Sequence, residues 1–238
     1  MIGSAKAPYL NALAARGANL SRSYGVTHPS QPNYVALFSG GQQGVTTNGC
    51  RDLGARANLG SQLRAAGHSF TGYAESLPSA GWTGCRRGDY ERKHNPWVDF
   101  SNLPSSANQP FSAFPDDYAQ LPTVSFVVPD LCHDMHDCDV ATGDDWARDQ
   151  LSGYVEWAGT HDSLLVVTFD EDSGTDANTI ATFFVGPMVT PGPSDQRIDH
   201  SSLLRLLDDK YGLPPLGRAA DAEPITGIWR APAATPTG

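Results

Sequence analysis

Residues 123–129, TVSFVVP, and residues 164–169, LLVVTF, decide the fold. Each is a short, continuous apolar run rich in β-branched residues, the pattern of a strand buried on both faces. Between them, residues 144–157 (DDWARDQLSGYVEW) read as an amphipathic helix with an acidic first turn. Downstream, residues 180–185 predict a third buried strand. Residues 201–211 (SSLLRLLDDKY) predict a helix opened by the capping region Asp199, His200 and Ser201. Working backwards, helices are expected over 7–16, 30–39 and 59–66, and strands over 20–26 and 69–74. Gly17 and Gly40 stand where two of the helices stop. Residues 78–122, rich in Pro, Gly, Asn and Ser, read as long loops over one end. Strands alternating with helices predict an α/β fold with a doubly wound, mostly parallel sheet. No linker divides residues 1–238, which therefore read as a single domain.

Composition narrows the class. The 238 residues are 39% hydrophobic and include five Trp and nine Phe, enough to build a core. No apolar run approaches the roughly 18 residues of a membrane-spanning helix. The formal charge is −10, which repels phosphate backbones and argues against nucleic-acid partners. Asp outnumbers Glu by 21 to five, and Asp is a good turn residue, helix cap and metal ligand. The four cysteines stand at 50, 85, 132 and 138. An even count in such a chain points to disulfides and an oxidising compartment. The short loop pairs Cys132 with Cys138 and leaves Cys50 for Cys85. A zinc site of Cys132, His133, His136 and Cys138 is the competing arrangement.

In doubly wound sheets the chemistry lies past the carboxyl ends of the strands. After residues 20–26 come Thr27, His28, Ser30 and Asn33, and after 123–128 come Asp130, His133, Asp134 and His136. Asp170, Glu171 and Asp172 follow 164–169, and His200 opens the last helix. Ser30 reads either as an ordinary helix N-cap or as a nucleophile at a helix N-terminus, where backbone N–H groups would hold a phosphoryl group. Asp170, Glu171 and Asp172 read either as a solvated acidic turn or as the seat of a hard divalent cation. A loop pinned by Cys132 and Cys138 would present His136 in fixed position, as a general acid must be held. His94 would bring positive charge to an anionic substrate.

These segments resemble a known family. THPSQPNYVALFSG (27–40), YAESLPS (73–79), RKHNPW (92–97), VVPDLCHDMHDCD (127–139), TFDED (168–172) and DHSSLLRLLDDKYGL (199–213) occur in the order of the bacterial phosphoesterase family. Secreted acid phosphatases, phosphatidylinositol-phosphate phosphatases and phosphocholine-type phospholipases C belong to it, within the alkaline-phosphatase-like superfamily. The resemblance implies metal-dependent hydrolysis of a small-molecule or lipid-headgroup phosphoester by a secreted enzyme. It places the nucleophile on Ser30, the general acid on His136, and the divalent metal cation on Asp170 and Glu171 with Asp134. Asn33, Lys93, His94 and His200 fall on substrate-binding positions. The family's first strand, which ends in a metal-binding Glu-Asn pair, precedes the segment that begins here at Ile2. The sheet is therefore expected to lack a strand and the cation up to two ligands. Two rival readings stand beside this one. A metal-free serine hydrolase would use Ser30, Asp170 and His200, although no G-x-S-x-G elbow is present. A non-catalytic secreted binding domain would keep only a degenerate site.

Overall fold

The computed structural model describes residues 1–231. The chain runs through α1 (Pro8–Arg16), β1 (Ala18–Tyr24), α2 (Ser30–Ser39), α3 (Leu59–Ala65) and β2 (Phe70–Ala74). A short hairpin of β3 (Arg86–Arg87) and β4 (Tyr90–Glu91) follows, then β5 (Asn108–Pro110), β6 (Val124–Val128), α4 (Val140–Ala158) and β7 (Leu165–Thr168). The described chain closes with β8 (Thr182–Val185), β9 (Gly192–Asp199) and α5 (His200–Tyr211). Among the described residues, no helix is long and apolar enough to cross a membrane.

The strands form two main sheets, ordered β7-β8-β1-β9 and β5-β2-β6. β2 runs parallel to both neighbours, and β1 runs parallel to β9 from Ala18 opposite Gly192 to Tyr24 opposite Asp199. β8 is antiparallel to β1 and to β7, so the larger sheet is mixed where a mostly parallel one was expected. Two antiparallel steps leave β7, β1 and β9 pointing the same way, and their carboxyl ends gather at one end of the sheet. β6 and β7 each have one edge unpaired among the described strands. Val127 of β6 and Leu165 and Val167 of β7 nonetheless pack on one apolar cluster.

Helices cover both faces, as double winding requires. Leu10 and Leu13 of α1 and Trp146 and Val155 of α4 pack with Phe183 of β8. On the other side Phe38 of α2, Leu59 and Leu63 of α3, Phe70 of β2 and Leu204 of α5 form the largest cluster. Phe38 is fully buried, with the rings of Phe70, Phe100 and Phe126 between 5.3 and 5.8 Å away. Truncating such a ring costs about 3–5 kcal/mol. α2 ends where Gly40 takes the left-handed conformation, φ 74°, and returns its N–H to Ala36 O. α4 starts at residue 140, earlier than its apolar periodicity suggests, because the Asp139 side chain caps it by accepting from Thr142 N. The buried Asp144 carboxylate then accepts the Tyr9 and Leu10 N–H groups at 3.0 and 2.8 Å, satisfying the open first turn of α1.

Candidate active site

Ser30 opens α2 beyond the end of β1 and is buried, 4% exposed. Its Oγ donates to Glu171 Oε1 at 2.7 Å, so the hydroxyl meets the carboxylate that follows β7. Glu171 Oε2 accepts from His28 Nδ1 at 2.5 Å, and His28 Nε2 faces Thr175 O at 3.1 Å. The hydrogen bond to Glu171, reinforced by the Thr175 carbonyl, raises the His28 pKa and favours its imidazolium. Asp170 is half-buried beside this group. Burial pushes its carboxyl up, opposed by His94 and reinforced by Glu171. Its Oδ2 is buried with no hydrogen-bond partner.

A second arm of the site comes from two loops. His94, in the 3-10 turn Arg92–His94, is 4% exposed, and its Nδ1 pairs with Asp134 Oδ2 at 2.8 Å. Its Nε2 is buried and unpartnered, and its ring stacks on Tyr34, centroids 5.1 Å apart. Burial, with Asp170, Asp134 and Glu171 nearby, holds the Tyr34 phenol far above its ordinary range, so Tyr34 stays neutral. His136 lies further out, its ring 5.6 Å from that of His94. Its Nδ1 pairs with Asp137 Oδ1 at 2.6 Å, and its Nε2 faces Lys93 Nζ at 3.2 Å. The loop carrying Asp134 and His136 is closed by the Cys132–Cys138 disulfide, and Cys50 is bonded to Cys85. With all four cysteines in disulfides, the zinc alternative falls.

The expected site residues thus divide. Ser30, Asp170, Glu171, His94 and Asp134 converge, with Lys93 and His136 outside them. Asn33 does not face the site. Its Oδ1 accepts Val26 N and Thr27 N, and its Nδ2 donates to Thr27 O and Pro29 O, so the whole amide brackets the loop before α2. His200 acts from behind: Nε2 meets the Asp170 main-chain O at 2.7 Å, and burial lowers its pKa, leaving a neutral ring that props the backbone at Asp170. Asp134, expected at the cation, has Oδ2 on His94 and Oδ1 on His136 N.

Three residues matter here that their local sequence does not announce. Gln31 donates to the buried Asp99, which also accepts from Arg92 Nε at 3.0 Å, tying the helix opened by Ser30 to the His94 turn. Burial raises the Asp99 pKa to about 6 despite Arg92. Asn178 holds the turn after β7 against the loop before α2, accepting from Asp172 N and donating to Thr27 O.

Two places bear on a cation. Asp170 Oδ2, an orphaned buried carboxylate oxygen beside Glu171, fits a hard divalent ion, which would relieve its desolvation. Glu75, Asp130 and His133 also bring ligand atoms within 4.8 Å of one another. There, however, nitrogen and hydroxyl donors already face the carboxylates. Glu75 accepts from Trp146 Nε1 and Asp130 N and pairs with His133 Nδ1, while Asp130 accepts from Ser76 Oγ and from Cys132 N and His133 N. That network anchors the disulfide loop.

The fold is similar to that of a solved protein of the alkaline phosphatase superfamily. A member from Vibrio parahaemolyticus superposes with a TM-score of 0.64 at 11% identity, over 94% of this chain and 66% of that one. A phosphonate monoester hydrolase from Silicibacter pomeroyi superposes at 0.55 and 12% identity, over 88% and 69%. Residues 3–214 match the phosphoesterase family, and the chain belongs to it. It is 51% identical over 232 residues to a phosphatidylinositol-3-phosphatase of Mycobacterium tuberculosis, covering 96% of this chain and 78% of the relative. It is 32% identical to a phosphate-repressible acid phosphatase of Penicillium chrysogenum, covering 88% of this chain and 55% of that one. The chain thus spans little more than half the length of this fungal relative.

Proposed function

We propose that the chain hydrolyses phosphate monoesters through a phosphoserine on Ser30, as an acid phosphatase acting outside the cell. The observation that carries this reading is the 2.7 Å hydrogen bond from Ser30 Oγ to Glu171, made at the N-terminus of a helix. The relatives' names support the phosphoester substrate, and two disulfides fit an oxidising compartment. Asp170 and Glu171 would hold a divalent cation, which when bound supplies Lewis-acid charge against the phosphoryl oxygens.

Glu171 takes hold of the Ser30 proton, freeing Oγ to attack phosphorus in line. The N-terminal end of α2 stabilises the anion that accumulates there. As the new O–P bond forms, the bond to the substrate alcohol breaks, and that oxygen needs a proton. His94 is better placed than His136 to give it. Asp134 fixes one nitrogen of His94 and leaves the other buried and unbonded, whereas Lys93 sits at the outer nitrogen of His136. Water then attacks the phosphoserine and releases inorganic phosphate.

Turnover of p-nitrophenyl phosphate tests the reading. Ser30→Ala should abolish it with little change in melting temperature: Pro29, not Ser30, is the N-cap of α2, and the hydroxyl's hydrogen bond to Glu171 is worth only about 1 kcal/mol. Acid quenching during turnover should trap phosphate on Ser30, and exhaustive chelation should stop the parent reaction. Wild-type turnover by Ser30→Ala would refute the proposal.

A further inference from the structure

Tyr34 stands four residues after Ser30 on α2, a spacing that puts both side chains on the same face of the helix. Its ring stacks on that of His94, with centroids 5.1 Å apart and planes 29° from parallel. Asp170, Asp134 and Glu171 all lie close enough to act on its phenol, so the ring belongs to the interior of the site. The contact of His94 Nδ1 with Asp134 Oδ2 at 2.8 Å fixes one atom of the imidazole but not its plane. The last torsion of a histidine is broad, so a ring held at one nitrogen can still swing the other out of line. The ring of His136, 5.6 Å away and tilted by 56°, gives no flat surface against that swing. Among the described residues, Tyr34 alone stacks on His94. The link from Gln31 through Asp99 to Arg92 ties α2 to the His94 turn, so the two stacked rings are carried on segments that are held together.

We propose that Tyr34 is a positioning residue for the proton donor: its ring is the platform that holds the imidazole of His94 in plane, with Nε2 presented to the leaving oxygen of the substrate. This rests on the reading of His94 as the general acid. Tyr34 acts through His94 and takes no part in forming the bond from Ser30 Oγ to phosphorus. As the bond from phosphorus to the substrate oxygen breaks, its electron pair stays on that oxygen. The Nε2 proton of the imidazolium passes to it, leaving a neutral His94 with Nδ1 still on Asp134. A ring turned out of plane cannot deliver the proton, and the oxygen must then depart as an anion. The cost therefore depends on the leaving group. Nitrophenolate is a stable anion that leaves without a proton, whereas an alkoxide is not.

The test compares steady-state kinetics on p-nitrophenyl phosphate and on glycerol 2-phosphate, an alkyl ester. His94→Asn should lower kcat/KM about a hundredfold more on the alkyl ester than on the nitrophenyl ester, the share that a general acid supplies. Tyr34→Leu, which keeps apolar bulk and removes the flat ring, should show the same bias at about tenfold, carried by kcat rather than KM. Tyr34→Phe, which keeps the ring, should match the parent on both esters. In the double variant of His94→Asn with Tyr34→Leu, the bias should be no larger than in His94→Asn alone, because the two act as one unit. Should Tyr34→Leu fail to fold in a thermal melt, the unbranched and adaptable Tyr34→Met takes its place. Equal losses on both esters without the ring, or a Tyr34→Phe as biased as Tyr34→Leu, overturn the proposal and leave the reading of His94 standing. Equal losses on both esters in His94→Asn overturn that reading instead, and the role of Tyr34 falls with it.

Discussion

Replacing Gly25 by alanine tests how closely the loop that leads to Ser30 must lie against the carboxylates. Gly25 follows β1 and donates its N–H to Asn178 O at 2.9 Å. An added Cβ would stand 2.6 Å from Asn178 Nδ2 and 2.8 Å from both Asn178 Oδ1 and the Asp170 carbonyl oxygen. Ordinary contact begins near 3.4 Å, so the segments must part by about 0.8 Å. Asn178 cannot simply swing away, because its Nδ2 donates to Thr27 O at 2.8 Å and its Oδ1 accepts Asp172 N at 2.9 Å. The displacement therefore passes to the Thr27–Ser30 side of the site or to the Asp170–Glu171 side. A misplacement approaching 1 Å costs about a hundredfold in rate. Overpacking of this kind costs about 1–3 kcal/mol, or roughly 2–12 °C in melting temperature for a domain of this size. Initial rates on p-nitrophenyl phosphate and a thermal melt read both effects. The expected variant is folded, modestly less stable and about a hundredfold slower. Wild-type kcat in a variant with lowered melting temperature would show that the loop separation does not govern the reaction, and would refute the reasoning.

Stability should also depend on pH in a stated direction. Burial raises Asp99 and Asp208 from 3.8 to about 6, so between these values the folded chain binds protons that the unfolded chain does not. Their contribution therefore favours folding as pH falls from above 6 toward 4 and is lost as pH rises. Asp208→Asn should flatten the pH dependence of the melting temperature across that window, and an unchanged slope would remove Asp208 as a cause. The two disulfides should separate stability from activity. Closing 35 residues, Cys50–Cys85 is worth about 4 kcal/mol by loop entropy, against about 2 kcal/mol for the six of Cys132–Cys138. Serine replacement of the short pair should nonetheless cost more kcat, because that loop carries Asp134; the opposite order in melting and rate data would count against this division.

How much of this was legible in the sequence depended on whether the information was local. α2 is read correctly from Ser30 to Ser39 because Gly40 marks its end chemically, and β6 and β7 stand out by their uninterrupted apolar runs, although the burial on two faces expected of them is not found: both are edge strands, β7 is half-buried throughout, and only Val124 and Val128 of β6 are buried. β9 is invisible for the converse reason. GPSDQRID carries a proline and four charged or amide side chains, and only Ile198 is buried, so its strand character comes from pairing with β1. No periodicity announces such an edge. The site divides the same way. Hydroxyl and carboxylate groups at strand ends are found by rule, which delivers Ser30, Asp170 and Glu171. The Asp134–His94 pair joins two loops 40 residues apart, and neither residue's neighbours name the other.

Asn33 and Asn178 show the deeper limit. Both are amides near Ser30, and residue type alone cannot separate a ligand contact from a bracket. The four hydrogen bonds of Asn33 to residues 26–29 assign it to holding the loop, and Asn178 ties that loop to the carboxylate turn. The chemistry-bearing side chains can therefore be few and exposed to selection by type, while the amides, the glycine and the buried Asp99 that place them are defined only by what they touch.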